Sequence, residues 1–473
     1  MSEASVPPIL IIGVSGATWD VLAALEKKGR VPNIHRLLKR GCGAALSSVK
    51  VAGDKHYRPQ AAWASLATGC RPDRHGVTQF YHEAAELRAP TLWDIYSGQG
   101  LTSGIYGWPS TWPPPSIRGF VVPSHLARDD RTWPPDLRRI KALDREQQSL
   151  DRDGGAMRRL AGAASAVQTL VRYGVRTQTF AKLAKDAPAA LFSDVEQRRL
   201  LLRKAKLEVS ADMFVNLYKK HQPNLAAFVT FYVDFVSHRY WRFRSPPPSG
   251  ETNLQDLRFR DAVDQSYADF DAIVGRLVQA APKDSVIVIV SEHGMDPEPK
   301  SAEVGSWYFS IRGSRIHQLL GIDPGIQPHA MARWIAFRPV DADKIRSVSA
   351  KLKSLTIVET GLPLFRVHEH NQEVIIKFAL DADVVRYAEG DLEKLTVRIG
   401  DRVAPFSEFA RRSGRQRSAM HARDGVFLIS GPGIRNGEWL SEASVLDVAP
   451  TLLRVAGLAV TTQMDGKSLN LFS

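Results

Sequence analysis

Cysteine is almost absent: Cys42 and Cys70 are the only two in 473 residues. Two thiols cannot build a disulfide framework or a cysteine-ligated zinc cluster, so both are expected to be reduced and structural. Long apolar runs are missing as well. The longest, residues 225–236, falls short of the roughly 20 residues that cross a bilayer and carries Asp234. A helical integral membrane protein is thereby excluded. The opening MSEASVPPILIIGVSG has no basic segment leading into an apolar run of leader length, because Ile9 to Val14 is only strand-sized. A cytoplasmic protein is the expectation. Internal repeats and low-complexity tracts are also lacking, which argues against solenoid and disordered architectures.

Acidic residues are outnumbered. Lys and Arg total 63 against 50 Asp and Glu, a net charge of +13 with a pI near 9.7. Such a balance favours anionic partners, among them phosphorylated molecules, nucleic acid and acidic lipid headgroups. Much of the excess lies between Arg128 and Lys220, where Arg158, Arg159, Arg172, Arg176, Arg198, Arg199 and Arg203 alternate with Ala and Leu. Charges so spaced usually form the solvated faces of helices. Because no nucleic-acid reading motif accompanies them, nucleic acid is not expected as a partner, and a phosphorylated small molecule is.

What is present is an alternation of strand and helix signals. A strand at Pro8 to Val14 is followed by helices near Thr18–Lys28 and Pro32–Arg40. A helix near Ala61–Ala67, another at Thr91–Tyr96 and a strand near Thr102–Tyr106 continue the pattern. Leu225 to Tyr232 and the Val/Ile run Ser285 to Val290 read as central strands buried on both faces, with a helix at Ala262–Ala280 between them. This predicts an α/β fold with a largely parallel central sheet flanked by helices. Residues 1–110, 221–300 and 416–473 should form the core. Residues 111–220, proline-rich and then helical, and residues 301–415, with strand-like pieces at Arg333–Phe337 and Glu373–Phe378, read as two insertions, the first mainly helical and basic, the second a mixed α/β cap.

Three clusters able to bind metal fall where the pattern puts loops. Asp234 and His238 follow the strand at 225–232, Glu292 and His293 follow the strand at 285–290, and His421 precedes a strand at Gly425–Ser430. Open α/β sheets bind ligands at the carboxyl rim of their strands. Nitrogen and oxygen donors without thiolate suit zinc, manganese or a similar divalent ion, and an Asp/His/His set leaves a coordination position open. His421 reaches the common rim only if its strand runs antiparallel or its loop crosses over.

In order along the chain, Ile11 to Asp20, Val31-Pro32-Asn33-Ile34 to Gly41, Ala62-Trp63-Ala64-Ser65 to Gly69, His75-Gly76-Val77, Asp234 with His238, His293-Gly294, His421 with Gly425, Gly431-Pro432-Gly433, Asp447 to Thr451 and Met464-Asp465-Gly466 resemble the type I phosphodiesterase/nucleotide pyrophosphatase family of the alkaline phosphatase superfamily. The resemblance implies a two-metal phosphoesterase in which a Ser or Thr attacks phosphorus. By position, Asp234, His238 and His421 correspond to one complete ligand set, and Glu292 and His293 belong to the other.

That other half departs from the family's pattern. Ser15 stands in Gly13-Val14-Ser15-Gly16, where the family carries a ligating Asp. Glu292 replaces an Asp. The expected nucleophile position holds Pro59. One intact metal site and a weakened or absent second are therefore expected. Near Pro59, Tyr57 and His56 are the remaining side chains able to attack phosphorus, and Arg58 could grip a phosphoryl group through its planar fork. The sequence leaves open a phosphate-ester hydrolase or transferase with an altered nucleophile, and a catalytically inactive relative that binds a phosphorylated ligand or a protein.

Overall fold

The computed structural model describes residues 6–54, 56–79, 81–143, 166–244, 257–297, 309–326, 328–331, 334–338, 341–379, 392–412 and 418–472. Lys55, Arg158, Arg159 and the stretch 144–165 of the first insertion lie outside them. The chain divides into one compact unit of Met1–Pro297 with Ser418–Ser473 and a second of Glu298–Arg417.

The larger unit is organised by strands β1 (Ile9–Val14), β2 (Gly41–Ser47), β3 (Ser103–Tyr106), β4 (Gly119–Val122), β5 (Leu225–Thr230), β6 (Val286–Val290), β7 (Gly294–Pro297), β8 (Ala419–Ala422) and β9 (Asp424–Ser430). Among the described residues a nine-stranded sheet runs β2-β9-β6-β1-β5-β3-β4, extended beyond β2 by the short strands Glu438–Trp439 and Ala443–Ser444. The β6-β1-β5-β3-β4 portion is parallel, and β9 alone runs antiparallel to both of its neighbours, β6 and β2. β1 is buried along its whole length. Its side chains alternate, Leu10, Ile12 and Val14 entering one hydrophobic core and Ile9 and Ile11 the other, as the two-residue period of a strand requires.

Helices cover both faces. Named in chain order they are α1 (Trp19–Lys27), α2 (Pro32–Lys39), α3 (Pro59–Thr68), α4 (Thr177–Phe192), α5 (Val195–His221), α6 (Tyr232–Arg244) and α7 (Ala262–Ala280). Pro59 occupies the first position of α3, where its missing N–H costs nothing and its fixed φ suits the helix. Most of α3 is buried, with Trp63 wedged against Trp108 at a centroid distance of 4.9 Å. The carboxyl half of α5 contributes Leu207, Ala211, Phe214 and Leu217 to the same core as α7, so this basic segment is built into the main body rather than laid over it. Both cysteines are buried and free. No helix among the described residues is long and apolar enough to cross a membrane.

The smaller unit contains an antiparallel sheet ordered Phe365–His370, Glu373–Phe378, Trp334–Phe337, Pro328–Met331 and a helix at Ala342–Lys353, around its own core of Phe337, Ile376 and Phe406.

Two details differ from the sequence reading. β5 ends at Thr230, and Tyr232 begins a helix rather than a loop. Asp234 and His238 thus sit four residues apart on one helical face, which a strand running to Tyr232 would not have allowed. Secondly, β9 begins where β6 ends, at a crossing so tight that only glycine fits. A Cβ on Gly425 would lie 2.0 Å from the Ser291 carbonyl oxygen, and one on Gly294 would lie 2.2 Å from that of Asp424. Gly425→Ala should therefore lower stability by about 2–3 kcal/mol through forced backbone displacement, a loss read from the denaturant midpoint. An unchanged midpoint would show that the crossing has slack.

Candidate metal centre

The antiparallel direction of β9 satisfies the condition set by the sequence. Its starting end lies at the carboxyl rim of β1, β5 and β6, and β8 pairs antiparallel with β7, setting His421 opposite Met295. α6 leaves β5 at the same rim carrying Asp234 and His238, and its His238 carbonyl accepts from the Ser418 N–H at 2.8 Å. Residues separated by nearly two hundred positions are thereby brought into contact.

Asp234, His238 and His421 form one cluster whose ligand atoms all lie within 4.8 Å of one another. His238 Nδ1 is 2.7 Å from the Ala419 carbonyl and His421 Nδ1 is 3.1 Å from that of Tyr57. A carbonyl only accepts, so each imidazole carries its proton on Nδ1 and directs the Nε2 lone pair inward. The two Nε2 atoms face each other at 2.9 Å. Asp234 Oδ1 is 3.3 Å from the first and 3.4 Å from the second, and no hydrogen bond satisfies it. Two lone pairs and a carboxylate oxygen converging on one point repel unless a positive charge stands between them.

Burial opposes ionisation of Asp234, but the charge and hydrogen bonds that His238 and His421 supply when protonated outweigh it, so its carboxyl lies well below the usual range. Burial, followed by the charge of His293, lowers His421 to about 4. His421 is thus neutral, as a ligand must be. Its side chain and those of Asp234 and His238 remain 17–20% exposed, leaving a way in for an ion or a substrate. Ligating histidines characteristically donate their second N–H to a backbone carbonyl, as both do here. The donor set therefore fits one divalent cation.

Ser15, Glu292 and His293 make the adjoining half, and all three are sealed from solvent. Ser15 lies just past β1 and donates its hydroxyl to Glu292 Oε1 at 2.5 Å, while His293 Nε2 stands 3.2 Å from the same oxygen. Burial works against a charge on His293, but Glu292 first and Asp234 after it raise it to about 9. Its ring stacks on His421 at a centroid distance of 3.9 Å. The Glu292 side chain reaches Ser15, so two of the three positions that the sequence singled out as departures are hydrogen-bond partners. Sequence reading treated Ser15 only as a poor ligand and missed this pairing. Its position at the end of the central strand was the available signal.

The segment before α3 behaves differently from expectation. Arg58 is not free to grip a phosphoryl group: Nε and Nη2 are both engaged by the Asp54 carboxylate, and Nη1 donates to the Thr78 carbonyl at 3.0 Å and to Gln79 Oε1 at 2.6 Å. It braces the turn instead. Tyr57 reaches the cluster through its carbonyl, while its ring lies beneath the Lys50 ammonium. His56 is exposed. Ser65 and His75 are 3.0 Å apart, yet the Val77 N–H donates to His75 Nδ1, so Nε2 bears the proton and His75 cannot serve as a base. Burial also depresses it to about 4.

Removing the brace has a defined cost. Arg58→Ala should destabilise the protein by about 1–2 kcal/mol, the half-exposed ion pair adding little to the hydrogen bonds, and should loosen the Tyr57 carbonyl from His421. A melting temperature equal to that of wild type would contradict this role.

The sequence profile of the type I phosphodiesterase/nucleotide pyrophosphatase family matches residues 9–321. No curated protein matches the chain in sequence. Among solved structures, human ectonucleotide pyrophosphatase/phosphodiesterase 5 is similar at 13% identity over 97% of each chain, with a TM-score of 0.44. An inactive variant of the murine protein in complex with AMP is similar at 12% identity over 96% of each chain, with a TM-score of 0.42.

Proposed function

The chain belongs to the type I phosphodiesterase/nucleotide pyrophosphatase family, and from that premise we propose that it is a metal-dependent hydrolase or transferase of phosphate esters working with one divalent cation. The observation that carries this reading is the pair of facing Nε2 atoms of His238 and His421, with the unsatisfied Asp234 Oδ1 beside them. These three residues would hold the ion. Zinc suits the donor set best, with manganese the second choice. When bound, such a cation polarises a phosphoryl oxygen and acidifies water.

A second cation fits poorly. Asp234 and Glu292 are the carboxylates among the six positions formed by Ser15, Asp234, His238, Glu292, His293 and His421. With His293 carrying a proton beside Glu292, one dication already outweighs the remaining negative charge, and a second would add two more positive charges in a largely buried site.

The chain's own contribution is then positional. The Tyr57 carbonyl sets the His421 tautomer, and the same segment leads directly into α3 at Pro59. The positive end of the α3 dipole therefore lies next to the cluster, favouring a phosphoryl anion there. Pro59 supplies no nucleophile, so attack falls to water or to an acceptor hydroxyl instead of forming a phosphoenzyme. Pro59 and Ser15 also favour the second reading, in which the protein binds a phosphorylated ligand or a protein partner without turnover.

Elemental analysis alongside hydrolysis of a generic aryl phosphodiester and monoester separates the two. We expect about one equivalent of metal in wild type, loss of the metal on His421→Ala, and at least a ~100-fold fall in turnover with it. Metal-loaded wild type without turnover would establish the binding reading. Absence of metal would sink both the ion and the hydrolase.

A further inference from the structure

The helical hairpin formed by α4 and α5 presents an apolar tip that nothing described covers. Phe192 is 90% exposed, Leu191 68% and Val195 56%. Among the described residues these are three of the eleven exposed large hydrophobic side chains, and they fall within five consecutive positions. The others are scattered through the rest of the chain, as single exposed apolar residues ordinarily are, whereas a concentration of this kind marks an interaction surface.

Charge surrounds the tip. Residues 166–206 hold nine Lys and Arg against three Asp and Glu, a net of +6 out of the chain's +13. Two lysines lie further back along α4 and are only partly engaged. Lys182 pairs with Glu208 while its side chain stays 54% exposed, and Lys185 is exposed on the same helix. Arg198 donates to the carbonyls of Ala190 and Ser193, which closes the end of α4 but leaves its charge without a counter-ion in that contact. Of the acids in the stretch, Asp194 caps α5 and pairs with Arg258, and Glu196 pairs with Arg199.

We propose that this hairpin tip is a peripheral docking surface for an anionic lipid bilayer, with Leu191, Phe192 and Val195 entering the headgroup and acyl boundary. Lys182, Lys185 and Arg198 face the acidic headgroups. A projecting turn bearing Phe and Leu and ringed by cations needs no shape-matched cavity to bury it, and a fluid interface accepts it directly. Basic residues near such a surface are attracted within a Debye length. A phosphoesterase held there would work beside the membrane while remaining releasable.

Co-sedimentation of the full-length protein with phosphatidylcholine vesicles, with and without phosphatidylserine, tests the proposal. Wild type should pellet with the phosphatidylserine vesicles and release as salt is raised. Leu191→Ser with Phe192→Ser should weaken partitioning at least ~10-fold while leaving the melting temperature and metal content unchanged, since both side chains lie outside the core. Lys185→Glu should weaken it as well and lower the salt dependence. Absence of binding to acidic vesicles would overturn the proposal, as would binding that ignores the loss of Leu191 and Phe192. Concentration-dependent self-association removed by the serine pair would reassign the tip to contact between copies of the chain.

Discussion

The site depends on one reversal of direction. In a sheet whose central strands are parallel, β9 runs the other way, and this alone lets a residue that precedes a strand stand beside residues that follow one. His421 meets Asp234 and His238 for that reason. Were β9 parallel to β6, its approach would lie at the opposite rim, a strand length away. Gly425 and Gly294 are the condition for the reversal, because the Ser291 and Asp424 carbonyls occupy the space where their side chains would be.

Around this crossing two kinds of polar environment lie side by side. The Asp234 cluster is partly open, with two imidazole nitrogens and a carboxylate oxygen facing one another. The Ser15, Glu292 and His293 group is closed: Glu292 Oε1 accepts from Ser15, while Glu292 Oε2 and His293 Nε2 are buried without a hydrogen-bond partner. The Ser15 hydroxyl donates to Glu292, so the negative charge of this group sits against the end of β1.

Much of the fold was legible because its signals are local. The Val/Ile run of β6, the six-residue β1 and the nineteen-residue α7 were located within a residue or two, since continuous apolar runs and a 3.6-residue period survive any tertiary context. The boundary after β5 was misplaced. Phe231, Tyr232 and Val233 continue the apolar run across the strand end, and nothing in their composition reveals where the chain turns helical. The family resemblance groups Asp234, His238 and His421 as one set, but composition and spacing alone could not place them together, because their convergence rests on strand direction. Nor could the role of Arg58. A guanidinium beside the expected nucleophile position looks free until Asp54, Thr78 and Gln79 are seen to occupy it, and those partners come from both sides along the chain.

The smaller unit enters and leaves the chain between β7 and β8, whose facing residues Pro297 and Ala419 are ladder partners. In topological terms the unit is the loop of a hairpin, grown to 120 residues. Any segment whose two ends approach to strand spacing could replace it without asking β7 or β8 to move. A replacement that met this one requirement would leave the β7–β8 ladder, and His421 within it, in register.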